Sequence, residues 1–379
     1  SNIGLYLAAT AVAYKTDLIS KEEALERAGG VVSALEQVEK WRGFPRPWIQ
    51  VRTLKASFGD EFTYDTHMSI LVGALVVTKN ILPELEERIG ALLSKMKFRD
   101  LYDPKTGWLK GGYNIKHDNF AFYQPWGHWY YKYFASGARL LSFYGIAKGQ
   151  IPKKHWTSLI RPVRQQGEEK IFATGYEEPG LEIQFLTSLF LDERFTEMGI
   201  SERNYIRYQI EHAAQIKSPV WGWASCQTKH NRYLTFGELR DAVVAPYASI
   251  LAAIYFPTEA YENLQILEKL GARPFHEGRR HQGRFGFRDS VNWETKEVVN
   301  TYLTPSQGMA FLALANVLHH GAVWQSFQSD ATVEKGIETL GLNIQTRPKI
   351  EQVQSDSEVS IQDIQKMLET IDEPAAPAS

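Results

Sequence analysis

The architecture of this chain turns on YDTHMSILVGALVVTKN, residues 64–80. From Met68 to Val77 the residues are apolar or small almost without a break. In a helix of about 3.6 residues per turn, such a run covers every face of the cylinder, so the helix must be buried on all sides rather than along one stripe. A transmembrane span would bury it, but that needs about 20 consecutive apolar residues, and no run in this chain is long enough. The helix therefore packs inside a second layer of protein.

Helical signals recur along the whole length. SNIGLYLAATAVAY opens the chain as a helix, and SKEEALERAGGVVSALEQVEKW follows with a capping box, Ser20 with Glu23, before an apolar face of Ala24, Val31, Leu35 and Val38. HWYYKYFASGARLLSFYGIAKG (128–149), LEIQFLTSLFL (181–191), NYIRYQIEHAAQI (204–216), DAVVAPYASILAAIYF (241–256), TEAYENLQILEKLG (258–271) and PSQGMAFLALANVLHHG (305–321) read as helices of about three to five turns. Several of these are also apolar nearly all round. They come in pairs, with long aromatic connections between the pairs. Strand-like pieces are few: a hairpin turning at Asp103 to Gly107 in FRDLYDPKTGWLKGGYN, and a short strand in GRFGFRDSVNW (283–293).

About twelve paired helices in one domain predict an all-α double ring, an (α/α)6 toroid with short β-hairpins in its loops. An α-solenoid is the competing architecture, and the absence of a fixed sequence period counts against it. The toroidal domain is expected over residues 1–345. Residues 346–379 read as a polar linker, a short amphipathic helix (Ile361, Ile364, Leu368, Ile371) and a disordered Pro/Ala end.

The chain has 379 residues, 44% of them hydrophobic, enough to build a large core. A formal net charge of -2 argues against nucleic acid or an anionic membrane as the main partner. The single cysteine, Cys226, excludes an internal disulfide framework. His319 and His320 are adjacent and point to different sides of their helix, so they cannot chelate together. There is no Cys-x-x-Cys pair, phosphate-binding glycine loop or Gly-x-Ser-x-Gly elbow. No metal or cofactor is expected, and protein partners stay unassigned. There is no signal peptide, but the chain lacks an initiating Met, so a trimmed start is expected and the compartment stays open between cytoplasm and periplasm.

What remains is carboxylates beside aromatics. FPRPWIQ (44–50), FYQPWGHWYYKYF (122–134), WGWASC (221–226) and GRFGFRDSVNW each place two or more rings in or next to a loop. Aromatic faces stack on sugar C–H faces, and glycoside hydrolysis needs only two well-placed carboxyls, one protonated and one ionised. Core packing is the alternative for any single ring. In GYEEPGLEIQFLTSLFL (175–191), Glu177 and Glu178 already supply charge at the helix start, whereas Glu182 sits among Leu181, Ile183, Phe185 and Leu186. Capping therefore explains Glu182 poorly. Asp65 and Asp241 stand where helices begin, and each is equally an N-cap. Asp289 lies on a strand-like stretch and cannot cap; a salt bridge with Arg288 or Arg284 is its alternative.

NIGLYLAATAVAYKTDLIS, RTLK with YDTHMSILVGALVV, GIAKGQIPKKHW, VVAPYASILAAI, and GRFGFRDSVNW with QGMAFLALANVLHHG together resemble, in order over residues 2–342, the glycoamylase-like domain of cyclic β-1,2-glucan synthases. More distantly they resemble the endo-β-1,2-glucanases. The resemblance implies an (α/α)6 toroid acting on β-glucan, plausibly β-1,2-linked. It matches Glu182, Asp65, Asp241 and Asp289 to acidic positions of these families. It also marks three departures. The two Glu positions it implies for the retaining synthases' carboxyl pair are Gly137 and Ser225 here, and an Asp of the glucanases is Ser306. None of the three can act as a carboxyl catalyst.

The resulting expectation is a glycoside hydrolase working by inversion. Glu182 is the general acid, Asp289 or else Asp241 the base, and Asp65 orients substrate hydroxyls. Trp126, Trp129, Trp221, Trp223 and Trp293 are sugar platforms, with His128 and Gln307 as further substrate contacts. A non-catalytic glucan-binding or scaffolding domain is the alternative, and a protein-interaction helical repeat the third reading.

Overall fold

The computed structural model describes residues 1–57, 61–63, 66–114, 130–166, 169–174, 180–229, 232–234, 242–274 and 285–344. Thirteen α-helices lie among them: α1 (Asn2–Lys15), α2 (Lys21–Gln37), α3 (Thr66–Ile81), α4 (Glu86–Lys95), α5 (Arg139–Ala147), α6 (Lys154–Ser158), α7 (Leu181–Ser188), α8 (Glu197–Gln215), α9 (Pro246–Ala252), α10 (Pro257–Lys269), α11 (Thr304–Leu318), α12 (Ala322–Gln328) and α13 (Ala331–Leu340).

Alternate helices form a closed ring: α1 packs on α3, α3 on α5, α5 on α7, α7 on α9, α9 on α11, and α11 returns to α1. Each of α2, α4, α6, α8 and α10 packs on the inner helix it follows, forming the outer layer. The expected (α/α)6 toroid is the observed fold. The two layers differ in sequence as burial requires. Helix α3 buries every residue from Met68 to Thr78, whereas α4 buries only Ile89, Leu92 and Leu93, and α10 only Ala260, Asn263 and Leu267. The ring closes tightly where α1 meets its neighbours. A Cβ on Gly4 would lie 2.9 Å from the Ile70 side chain, and one on Gly308 would lie 2.7 Å from Leu5 Cβ.

One end of the ring is plugged. Helix α12 is buried along its length and meets the C-terminal ends of four inner helices. Lys15 Nζ donates to Ser326 Oγ (2.8 Å), Asn80 Nδ2 to Ser326 O (2.7 Å), and Trp324 Nε1 to Ser188 O (2.6 Å). Asn316 Oδ1 accepts the Val323 and Trp324 amides at 3.0 and 3.2 Å. Because the inner helices run in one direction, the other end of the ring gathers their N-termini.

Local expectations were met unevenly. Ser20 Oγ accepts the Glu23 amide at 3.2 Å, and α2 buries Val32 where Val31 was expected. The turn at Asp103 to Gly107 forms, with the Gly107 amide donating to Asp103 O at 2.8 Å. Its flanks bridge antiparallel at Tyr102 and Leu109, with the Asp103 amide donating to Trp108 O at 2.9 Å and the Lys110 amide to Leu101 O at 2.8 Å. Leu109–Lys110 also pairs with Tyr130–Tyr131, and Gly112–Asn114 with Glu61–Thr63. In the described part of the stretch, 130–149, the helix begins only at Arg139, because Tyr130 and Tyr131 are taken into that ladder. In 241–256 the helix begins at Pro246, whose ring fits only a first turn, and Val243–Val244 instead pair with Val291–Asn292. A hairpin of Val163–Gln166 with Glu169–Phe172 had no counterpart in the sequence reading. Among the described residues no single helix is long and apolar enough to cross a membrane. The tail 346–379 lies outside the described residues.

Candidate active site

Two carboxyls meet one extended segment at the open end of the ring. Glu182 stands in the first turn of α7, which starts after Gly180 at φ 66° with no side-chain cap. Its Oε1 accepts a short hydrogen bond from Ser225 Oγ, and its Oε2 accepts the Ser225 amide at 3.3 Å. Asp289 precedes the strand Val291–Asn292. Its Oδ2 accepts the Gln227 amide at 2.5 Å, and its Oδ1 accepts Ser306 Oγ at 2.6 Å. Each carboxyl thus holds one backbone amide and one serine hydroxyl. The side chain of Glu182 faces that segment, and its own backbone amide at the start of α7 bonds it as well.

The segment 221–227 is held rigidly by outer-layer amides. Asn263 of α10 accepts the Trp221 amide at 3.1 Å and donates to Trp221 O at 2.8 Å. Gln209 of α8 accepts the Trp223 amide and donates to Trp223 O, both at 2.9 Å. These paired contacts replace a neighbouring strand, so the buried backbone polar groups are satisfied without a sheet. Tyr247 Oη donates to Ser225 O at 2.9 Å. Beyond it, Cys226–Gln227 pairs antiparallel with Tyr233–Leu234.

Burial sets the electrostatics. Glu182 is 8% exposed and Asp289 1% exposed, and desolvation raises both pKa values above the usual carboxyl range. The hydrogen bonds from Ser225, Gln227 and Ser306 pull the other way without reversing it. The Tyr233 phenol is pushed up to about 12, first by desolvation and next by the Glu182 charge. Both carboxyls therefore hold a proton more readily than surface acids, which suits a proton donor and strengthens a base.

The structure brings together two of the expected residues, Glu182 and Asp289. The alternative salt bridge of Asp289 with Arg288 is absent; Arg288 instead pairs with Asn300 and lies over Tyr302. Asp65, Asp241, Trp126, His128 and Trp129 lie outside the described residues, as do Glu177, Glu178 and Arg284. Trp221 and Trp223 are buried, Trp223 edge-on to His212 with centroids 5.4 Å apart, so neither offers a ring face to a sugar here. The WGWAS stretch serves as the rail for Ser225 instead. Trp293 is half-buried in the turn after Val291–Asn292, its Nε1 buried without a hydrogen-bond partner among the described residues. Gln307 Nε2 donates to Phe287 O at 2.8 Å, bracing the loop that carries Asp289.

Sequence reasoning missed Gln209, Asn263, Tyr233 and Tyr247. The available signal was a lone amide on the buried side of each outer helix, Asn263 in TEAYENLQILEKLG and Gln209 in NYIRYQIEHAAQI. Trp48, in a stretch noted for its aromatics, is 56% exposed and edge-on to His67 at the start of α3, the face of the ring where the site lies. Gly137 is closed off: a Cβ there would lie 2.0 Å from Thr66 Oγ1. Of the three positions that the resemblance marks as departures, Ser225 hydrogen-bonds Glu182 and Ser306 hydrogen-bonds Asp289.

A second acidic cluster is sealed between α5, α7 and α8. Ser188 Oγ bridges Glu193, at 2.9 Å, and Glu202 through a shorter contact. Arg139 pairs with Glu193, and Tyr255 Oη donates to Glu202 at 2.7 Å. Burial, then the Glu193 charge, pushes Glu202 up to about 8. Among the described residues no three His, Cys, Asp or Glu side chains converge as metal ligands would.

The closed inner ring, helical plug and acidic open end define a six-hairpin toroid of the glycosidase type. Residues 154–331 match the Glycoamylase family model, described as "Putative glucoamylase". The chain is similar to the cyclic beta-(1,2)-glucan synthase NdvB of Rhizobium meliloti (strain 1021), 28% identical over 290 residues. That match takes in 69% of this chain but only 10% of the synthase. The same fold occurs in an endo-beta-1,2-glucanase from Chitinophaga pinensis solved with sophorotriose and glucose (TM-score 0.70, 17% identity, 89% of this chain and 86% of that one). It also occurs in a beta-1,2-glucanase from Parabacteroides distasonis (TM-score 0.72, 15% identity, 89% and 54%). A third example is the endo-beta-1,2-glucanase of Talaromyces funiculosus with sophorose (TM-score 0.63, 12% identity, 92% and 82%).

Proposed function

We propose that this domain is a glycosidase that cleaves β-glucan, with β-1,2-glucan as its substrate, by inversion at the anomeric carbon. Glu182 is the acid that protonates the leaving oxygen. Asp289 is the base that takes a proton from the attacking water. The observation that carries this reading is the common anchor of the two carboxyls. They accept the amides of Ser225 and Gln227, two residues apart on one segment. Inversion requires a carboxyl separation of about 6.5–9.5 Å, and retention one of about 5–5.5 Å. The missing carboxyls at Gly137 and Ser225 speak against the retaining transglycosylation that the family pattern implies for the synthases.

The test is hydrolysis of linear β-1,2-glucan, followed by proton NMR of the first anomer released. Release of the α-anomer, abolished in Glu182→Gln and Asp289→Asn with unchanged melting temperature, supports the reading. Release of the β-anomer refutes inversion.

One observation favours a second reading, a glucan-binding domain without turnover. Both carboxyls are nearly sealed, and Ser225 and Ser306 occupy positions where the families carry acids. Calorimetric binding of sophoro-oligosaccharides with no product formed by the wild type would establish it.

A further inference from the structure

Each inner helix but one is followed by an outer helix that packs on it. The exception is α11, which leads into the plug α12, and the next helix, α13, packs on α5 across the ring. Among the described residues, no sixth outer helix follows α11 at the seam where it meets α1. Burial shows the consequence. Helix α3 buries Met68 to Thr78, and α5 and α9 bury every residue. On α1, by contrast, Ile3 and Tyr6 are 41% and 44% exposed, and on α11 Phe311, Leu314 and Leu318 are only half-buried. Between the two helices lies a groove of about 460 Å³, room for the side chains of one helix stripe. Tyr6, Gly308, Phe311, Tyr302 and the exposed Phe285 line it. Contiguous apolar surface of this kind marks a contact site.

We propose that this groove seats the chain's own C-terminal segment, residues 360–371, as the sixth outer helix. The spacing fits. Ile361, Ile364 and Leu368 repeat the three-then-four interval of Ala260, Asn263 and Leu267, the buried stripe of α10, and Ile371 extends it by a turn. Ser360 stands at the N-cap position with Asp363 in the first turn, and Pro374 follows the last apolar residue. The direction fits as well. Asn343 Nδ2 donates to Phe195 O at 3.3 Å, next to Arg194, which lies over the Trp324 ring of α12, so the described chain ends at the plugged end. A helix beginning there runs towards the open end, as the outer helices do. With neighbouring helices about 8–10 Å apart, the ring and its outer layer span about 40 Å, and residues 345–360 reach about 50 Å when extended. Charge is complementary at the far end. Glu369, Asp372 and Glu373 close the segment there, beside Arg288, which lies over the Tyr302 ring and bonds Asn300 but no carboxylate among the described residues.

Hydroxyl-radical footprinting reads the exposure of single rings and so tests the seat. In the full chain, Tyr6 and Phe285 should be oxidised slowly. Deleting residues 346–379, or introducing Ile364→Asp with Leu368→Asp in the full chain, should raise both rates several-fold. Trp48 and Tyr233, exposed elsewhere on the molecule, should not change. Equal rates at Tyr6 and Phe285 in all three proteins would overturn the proposal. A rise at every ring in the deletion reports unfolding, and the Asp pair then decides. Protection of Tyr6 that fades on dilution, with a dimer seen by light scattering, would give the groove to a second copy and overturn the intramolecular seat.

Discussion

Removing the buried carboxyl of Glu202 should change how the stability of this protein depends on pH. Glu202 is wholly buried, held by Ser188 and Tyr255, and faced by Glu193, which pairs with Arg139. Its pKa is pushed to about 8 from a reference of 4.5. The folded state binds the proton more tightly than the unfolded chain. The resulting stabilisation is fully present below about pH 4.5 and is lost as pH rises towards 8. Each pH unit in that window is worth about 1.4 kcal/mol, so between pH 5 and pH 8 Glu202 withdraws on the order of 3 kcal/mol. Glu202→Gln keeps the shape, still accepts from Tyr255, and cannot ionise. Urea unfolding followed by tryptophan fluorescence at pH 5, 6.5 and 8 gives the difference between the two proteins, in which titrating groups remote from Glu202 cancel. The variant should gain on the wild type by about 3 kcal/mol across the range. A difference that changes by less than about 1 kcal/mol, or that runs the other way, would refute a neutral buried carboxyl at this position.

Three further outcomes follow from the geometry. Asn316→Ala removes the acceptor of two α12 amides and a donor to Leu189 O, all buried, and should cost about 2–4 kcal/mol in urea unfolding with the open-end site unaffected. Gly137→Ala places a Cβ against Thr66 and should cost about 1–3 kcal/mol, with Thr66→Ala recovering part of it in the double variant; additive losses would show that the contact is not the cause. Because the Glu182 pKa is raised and the acid must be protonated, kcat/KM on β-1,2-glucan should be sustained above the ordinary Glu range and fall as pH rises through the folded value. A limb centred at or below 4.5 would remove Glu182 from the acid role.

The ring was legible in the sequence because a helix apolar on every face, such as Met68–Thr78, has one stable solution outside a membrane: a second layer around it. Local chemistry also read correctly where it was self-contained, as in the Ser20 cap and the turn at Asp103 to Gly107. It failed where tertiary pairing overrode propensity. Tyr130–Tyr131 left a helical pattern for a strand ladder, and Val243–Val244 did the same.

For the site, residue type marked Glu182, whose charge fits poorly among its apolar neighbours, and Asp289, which cannot cap a helix. It could not show that they share one anchor. The bonds that make them a pair link residues 43 and 62 positions apart. Those partners meet only because ring closure brings α7, the Trp221–Gln227 segment and the loop before α11 to one end. Trp221 and Trp223 show the same limit from the other side. Aromatic composition is identical in a cleft and in a core, and only the packing of α8 and α10 against that segment decides that these two rings face inward. Hydrophobic periodicity is a property of the chain, whereas the meeting of two carboxyls is a property of the closed ring.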